Sequence, residues 1–262
     1  VHLRAGGAFA KALEVARQYY VQGADPTEAE ALGLMALIKN YGDYIPPDKH
    51  KNKSLEMTIS AYLSYLERWP LETDPMRIMV IQDTHAIEFS FALPMPVNHP
   101  ETGDPFLFAG RADCFMQYGR TVLIDDEKTT SYFTHNWADQ WKLRAQFMAY
   151  TYAAREFGFK ADGALVRGTA FKLSGIEHAE VIIQITPDRL KRWYEQTVRD
   201  LERMVRLWHE DYFDFDFGDS CNAYGGCTFK HLCSVEDPEK WIEPLGFVER
   251  IWDPLHRQED EK

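Results

Sequence analysis

Long apolar runs, abundant cysteine and an excess of positive charge are all missing from this chain. No stretch approaches the ~18 consecutive apolar residues that a spanning helix needs, and no signal-peptide pattern is visible, which argues against a membrane partner. Only four cysteines occur in 262 residues, and most of them cluster, which excludes a disulfide scaffold and fits a reducing cytoplasm. Lys and Arg number 29 against 41 Asp and Glu, for a net charge of −12, so the overall field opposes nucleic-acid binding. No internal repeat is apparent. What is present is 45% hydrophobic residues in a chain long enough for one sizeable core, or one domain with an accessory piece.

The most informative stretch is Gly110-Arg111-Ala112-Asp113, followed by Asp126-Glu127-Lys128. Leu107-Phe108-Ala109 leads into Gly110, which reads as a turn residue, and Cys114-Phe115-Met116 continues beyond Asp113. Tyr118-Gly119-Arg120 reads as a hairpin turn, and Thr121-Val122-Leu123-Ile124 as a buried strand. Alternation along that strand predicts Asp126 and Lys128 on one face and Asp125 and Glu127 on the other, so Glu127 would contribute its backbone carbonyl. Asp113 and Asp126 brought together repel unless a cation lies between them. Hard oxygen ligands of this kind suit Mg²⁺ or Mn²⁺, and a neighbouring lysine can steady a water or a phosphate oxygen. That is equipment for metal-assisted phosphodiester hydrolysis. A solvated surface hairpin fits the same spacing as well.

The segment from Trp137 to about Phe157 reads as a helix with Asn136 as N-cap, and Gln146 and Tyr150, four apart, share one face of it. Gly110-x-x-Asp113, Asp126-x-Lys128-Thr129 and Gln146-x-x-x-Tyr150, in that order, resemble the motifs of the PD-(D/E)XK nuclease superfamily in its RecB-like, AddB-like branch. The resemblance implies a restriction-endonuclease-like α/β core, with a mixed central sheet flanked by helices. It implies a Mg²⁺- or Mn²⁺-dependent deoxyribonuclease, with exonuclease action in phage or bacterial recombination and repair as the expected activity. DNA would be the substrate, and a helicase or recombination protein a partner. Asp113, Asp126 and Glu127 would hold the metal, Lys128 would orient the attacking water, and Gln146 and Tyr150 would hydrogen-bond the phosphate or that water.

One departure stands out. The family's first helix carries Gly-x-x-x-His, and in Gly6 to Glu14 the histidine position is Ala10. Glu88, alternating with Phe89 and Phe91, is expected either to replace that ligand or to be an ordinary exposed strand residue. The change also keeps open a non-catalytic DNA-binding or assembly module.

Cys221, Cys227 and Cys233 fall within thirteen residues, a clustering that argues for metal ligation over packing. It resembles the C-terminal cysteine cluster of RecB-like nucleases that hold a [4Fe–4S] cluster. Those proteins supply a fourth cysteine far upstream; here no cysteine precedes Cys114, and the chain opens at Val1. The expectation is a fragment or processed form whose upstream ligand is missing. Cys114 should point away from Asp113 and read as a buried thiol. His231 offers a Cys₃His set suited to Zn²⁺, an iron-handling or redox protein is a further reading, and reduced thiols without metal remain open.

The remaining organisation follows from periodicity. Residues 1–76 read as a helical part of the nuclease domain, 77–210 as its core and 211–262 as a cysteine clasp. Asp25-Pro26 starts a second helix, residues 48–53 form a loop, and Ser54 to Trp69 is a third helix. Strands are expected at 164–168 and 181–185. A helix from Pro187 to about Trp208 should bury Leu190, Trp193, Tyr194, Val198, Leu201 and Val205. Tyr132 and Phe133 are better placed to stack on bases than Trp137 and Trp141, which fit core packing. Arg4, Lys11 and Arg17, with Lys142 and Arg144, are the expected basic patches, and Gln258 to Lys262 should fray.

Overall fold

The computed structural model describes residues 4–212 and 218–248; the expected frayed tail from Gln258 to Lys262 lies outside them. Three helices come first: α1 (Arg4–Val21), α2 (Pro26–Tyr41) and α3 (Leu55–Arg68). Ala5, Ala8, Phe9, Ala12, Leu13 and Ala16 recur at helical spacing and are all buried. Asp25 caps α2 by accepting from Thr27 N at 2.9 Å, and Ser54 caps α3 by accepting from Met57 N at 3.3 Å, each satisfying an amide that has no partner inside the helix. Between α2 and α3 the expected loop is wound into a short 3₁₀ segment, Asp48–Lys53.

The strands follow: β1 (Arg77–Ile78), β2 (Val80–Ile81), β3 (Thr84–His85), β4 (Ile87–Asn98), β5 (Pro105–Tyr118) and β6 (Thr121–Thr130). After helix α4 (Ala145–Glu156) come β7 (Ala161–Lys172), β8 (Gly175–Gln184) and helix α5 (Pro187–Glu210). The main sheet runs β1-β5-β6-β7-β8, with β4 also paired to β5, while β2 and β3 form a separate hairpin. β6 and β7 are parallel, joined through α4; β1–β5, β5–β6 and β7–β8 are antiparallel. The result is an α/β fold with a mixed central sheet flanked by helices.

The two faces of β6 meet different layers. Val122 and Ile124 join Val166 of β7 and Phe147 of α4 in one apolar cluster. Burying each such side chain contributes roughly 1.5–3 kcal/mol. On the other face Leu123 packs with Cys114 and Met116 of β5 and Leu165 of β7, and Asp125 and Glu127 meet Arg17 of α1 and Tyr65 of α3. A strand covered on both faces reads as a nearly continuous apolar run, as Val122-Leu123-Ile124 does.

The described chain divides into two compact units, Val1–Leu93 with Phe108–Glu195, and Pro94–Leu107 with Gln196–Lys262. The division therefore falls inside the β4–β5 hairpin and inside α5, while the helical segment before residue 76 belongs with the sheet. Four local expectations are corrected. Gly110 is no turn residue but lies in the interior of β5. Its missing side chain is required by the Phe91 ring, whose Cζ would come within 2.7 Å of a Cβ there. The helix expected from Trp137 begins only at Ala145; ahead of it lies a 3₁₀ turn, Asp139–Trp141. Of the apolar stripe on α5 only Leu190 is fully buried; Trp193 is half-buried and packs against the same core cluster, and Tyr194, Val198, Leu201 and Val205 are half-buried. Arg17 is buried, not part of a surface patch. Among the described residues no helix is long and apolar enough to cross a membrane.

Candidate active site

Asp113 leaves β5 three residues after the Phe91–Gly110 contact, and the Gly119-Arg120 turn sets the register of the strand that answers it. Tyr118 pairs with Thr121 across that turn and Cys114 with Asp125, a register that continues to Asp126 opposite Asp113, with Glu127 one residue beyond. The Glu127 amide donates to Asp113 Oδ2 at 3.3 Å. At Asp113 it is thus the N–H of Glu127 that the structure shows in contact. Asp126 is fully buried, and Lys128 Nζ lies 2.6 Å from its Oδ2. This ion pair is the contact that Oδ2 makes, and the Lys128 ammonium opposes the upward push of burial on the Asp126 carboxyl. Alternation accounts for the pairing, since residues two apart on a strand share a face.

Helix α4 completes the group. Gln146 Nε2 donates to Asp126 Oδ1 at 2.8 Å, its Oε1 faces Lys128 Nζ at 3.4 Å, and Tyr150 OH lies 3.5 Å from Gln146 Nε2. Tyr150 in turn donates to the carbonyl oxygen of Arg111, tying α4 to the strand that carries Asp113. Gln146 therefore spans donor and acceptor: its amide holds a carboxylate on one side and orients an ammonium on the other.

The electrostatics are those of crowded carboxylates. Burial first, then the neighbouring Asp126, Glu127 and Glu88, push the Asp113 carboxyl well above its ordinary range, with Lys128 opposing. Burial raises Asp126 to about 6 against the pull of Lys128 and Gln146. Burial likewise raises the Tyr150 phenol to about 12. Glu88 sits close enough to act on Asp113, and it holds a left-handed backbone conformation with φ of +50°. That conformation costs a non-glycine residue on the order of 1 kcal/mol and persists only where surrounding contacts enforce it.

On the opposite face of β6 lies a second charged group. Arg17 reaches from α1 to Asp125 Oδ2 at 2.8 Å, to Tyr65 OH at 3.2 Å and to Glu127 Oε1. Tyr65 also donates to Glu127 Oε1 at 3.1 Å. Burial and Glu127 raise Asp125, whereas Glu127 stays below its ordinary value because Arg17 and a hydrogen bond from Asp125 outweigh its burial. The pair is thus pushed in opposite directions, Asp125 toward its neutral form and Glu127 toward its charged form. Arg167 of β7 holds Asp74 through two bonds, 2.6 and 3.1 Å, and lies 4.8 Å from the Trp69 ring centroid.

Of the other expected residues, Cys114 is buried on the Arg17 side, opposite Asp113. Ala10 is exposed on α1. Trp137 is buried and, with Phe133, packs over Gly168, the β7 partner of Lys128; a Cβ at Gly168 would meet Trp137 at 2.3 Å and Phe133 at 2.7 Å. Tyr132 is exposed beside them. Lys142 and Arg144 are exposed, the first paired with Asp139 at 2.6 Å and the second 5.6 Å from the Trp141 ring centroid. Cys221, Cys227 and Cys233 are thiols, the latter two exposed. Among the described residues no three or more His, Cys, Asp or Glu side chains converge into a ready metal set.

Sequence reasoning missed Tyr65 and Arg167 and put Arg17 in a surface basic patch instead of against Asp125 and Glu127. Arg17 lies four residues after Leu13 and three before Tyr20, on the buried stripe of α1, and that position was the available signal.

No protein-family model matches the chain, and no curated protein matches it. Among solved structures, one described as the crystal structure of SSO0001 is similar over 85% of this chain and 94% of that one, at 13% identity and a TM-score of 0.34. A likeness of that degree carries no weight for fold or chemistry.

Proposed function

We propose that this chain is a Mg²⁺- or Mn²⁺-dependent deoxyribonuclease of the PD-(D/E)XK type, acting on DNA ends. The observation that carries the reading is the meeting of five side chains from three elements: Asp113 on β5, Asp126 and Lys128 on β6, and Gln146 and Tyr150 on α4. These are the residues that the motif resemblance singles out. The β5–β6 hairpin followed by a parallel β7 across α4 supports a restriction-endonuclease-like core.

The residues present suit a hard divalent cation. Asp126 Oδ2 is a buried carboxylate oxygen that faces the Lys128 ammonium, and Asp113 is crowded by carboxylates. Asp113 and Asp126 would hold the metal, with Glu88 and the Glu127 carbonyl as further oxygen donors. Bound there, the cation would polarise a phosphodiester and acidify a water. Lys128, steered by Gln146 Oε1, would orient that water and neutralise charge on the phosphate oxygens. Gln146 fixes the Asp126 carboxylate, and Tyr150 holds α4 against β5. Tyr132 supplies an exposed ring for stacking on an unpaired base.

The cysteine trio is proposed, on spacing alone, to hold a [4Fe–4S] cluster or, with His231, a Zn²⁺ ion that clasps the C-terminal segment. A non-catalytic DNA-binding module is a second reading, favoured by the alanine at position 10. Incubation with end-labelled single- and double-stranded DNA and Mg²⁺ or Mn²⁺ separates the two. Metal-dependent shortening supports the nuclease, and retention of intact DNA with neither metal active supports the module.

A further inference from the structure

On the Arg17 side of the sheet lies a cavity of about 220 Å³ that the proposed chemistry does not use. Apolar cavities of ~150 Å³ accept a benzene ring, so this one has room for a ring bearing a short side chain. Leu13, Leu66, Trp69 and Met116 supply apolar wall. Three guanidinium groups also line it, and they are not equivalent. Arg17 and Arg167 are buried and compensated by Asp125, Glu127 and Asp74. Arg77 is exposed and donates only to the backbone carbonyl oxygens of Asp74 and Met76. Among the described residues no carboxylate pairs with it. Inside, Arg167 Nε is buried without a hydrogen-bond partner. A partly open cavity with apolar wall on one side and, in its lining, an exposed cation that no carboxylate pairs suits a molecule of matching halves.

We propose that this cavity binds a small apolar molecule, one aromatic ring in size, carrying a single carboxylate that meets Arg77. Burial of the ring drives entry, and the charge-assisted contact with Arg77 discriminates acids from neutral isosteres. The inference does not depend on the nuclease reading.

The test is calorimetric titration of the full chain with 3-phenylpropionate and with 3-phenylpropanamide, its neutral isostere. The acid is expected to bind at least about tenfold more tightly than the amide. Arg77→Ala, at an exposed position, should erase that ratio while leaving the amide unchanged. Leu71→Trp, which fills the cavity from a half-buried position, should weaken both ligands in protein whose circular dichroism is unaltered. Acid and amide binding equally would overturn the proposal. So would absence of heat from either up to about 10 mM, the behaviour of a merely water-filled cavity. Undiminished acid binding in folded Leu71→Trp would place the ligand elsewhere and overturn it too.

Discussion

Replacing Arg17 with methionine isolates the charged group that backs the candidate active strand. At an effective dielectric of about 20, opposite charges roughly 3 Å apart attract by about 5–6 kcal/mol, most of it offset by the desolvation of both groups. Removing one partner is different, because the other stays buried without compensation, and the usual cost is about 3–5 kcal/mol. Against a typical total stability of about 5–15 kcal/mol, that loss is large. The pH dependence adds a sign. In the native chain Glu127 lies below its ordinary pKa, so its contribution is present above the unfolded value and is lost as pH falls through the folded one. Without Arg17, burial drives Glu127 upward, and protonation then relieves the variant as pH falls from 7 toward 5. Urea unfolding of native and Arg17→Met protein at both pH values measures this. The difference should be about 3–5 kcal/mol at pH 7 and smaller at pH 5. A loss under about 1 kcal/mol, or one that grows at pH 5, would refute the assignment of charge to Glu127.

Other perturbations bear on separate parts of the structure. Gly110→Val drives a branched side chain into the Phe91 ring and should cost about 1–3 kcal/mol in denaturant unfolding, with partial recovery in the double variant carrying Phe91→Leu. Gln146→Leu removes both the donor to Asp126 and the acceptor for Lys128; kcat for DNA cleavage should drop about a hundredfold with KM little changed, at unaltered unfolding midpoint. His178 bonds Thr169 and Ser64, and burial followed by Arg68 lowers its pKa. Its contribution is therefore present above the unfolded value near 6.5 and is lost as pH falls below it, and ring-proton NMR titration should place His178 under that value. Iron, zinc and acid-labile sulfide analysis of anaerobically purified protein decides the role of Cys221, Cys227 and Cys233: about four irons per chain expected for the cluster, one zinc for the alternative.

Much of the candidate site was legible because strand alternation is strict. A period of two is enough to put Asp126 with Lys128 and Asp125 with Glu127, and a helical spacing of four puts Gln146 beside Tyr150. What was illegible depended on the layers that cover the sheet. Gly110 looked like punctuation because glycine serves both turns and close approaches, and only the Phe91 ring across β5 distinguishes them. The residues from Trp137 to Arg144 keep helical periodicity but are held outside α4 by the packing of Trp137 and Phe133 over Gly168, a tertiary contact that overrides local preference. By residue type alone Arg17 reads as a surface cation. Two acids on the reverse face of a buried strand require a cation from whichever helix covers that face, and this is the argument that leads to it.

The central claim is that Asp113, Asp126 and Lys128 together cleave DNA with a divalent metal. Its most direct test is Mn²⁺-dependent release of label from linear DNA by native protein, side by side with Lys128→Ala and Asp126→Asn. The account predicts release by the native chain and a loss of at least about a hundredfold in each variant, with folding intact. Equal release by native and variant proteins, or none by native protein with either metal, would contradict it.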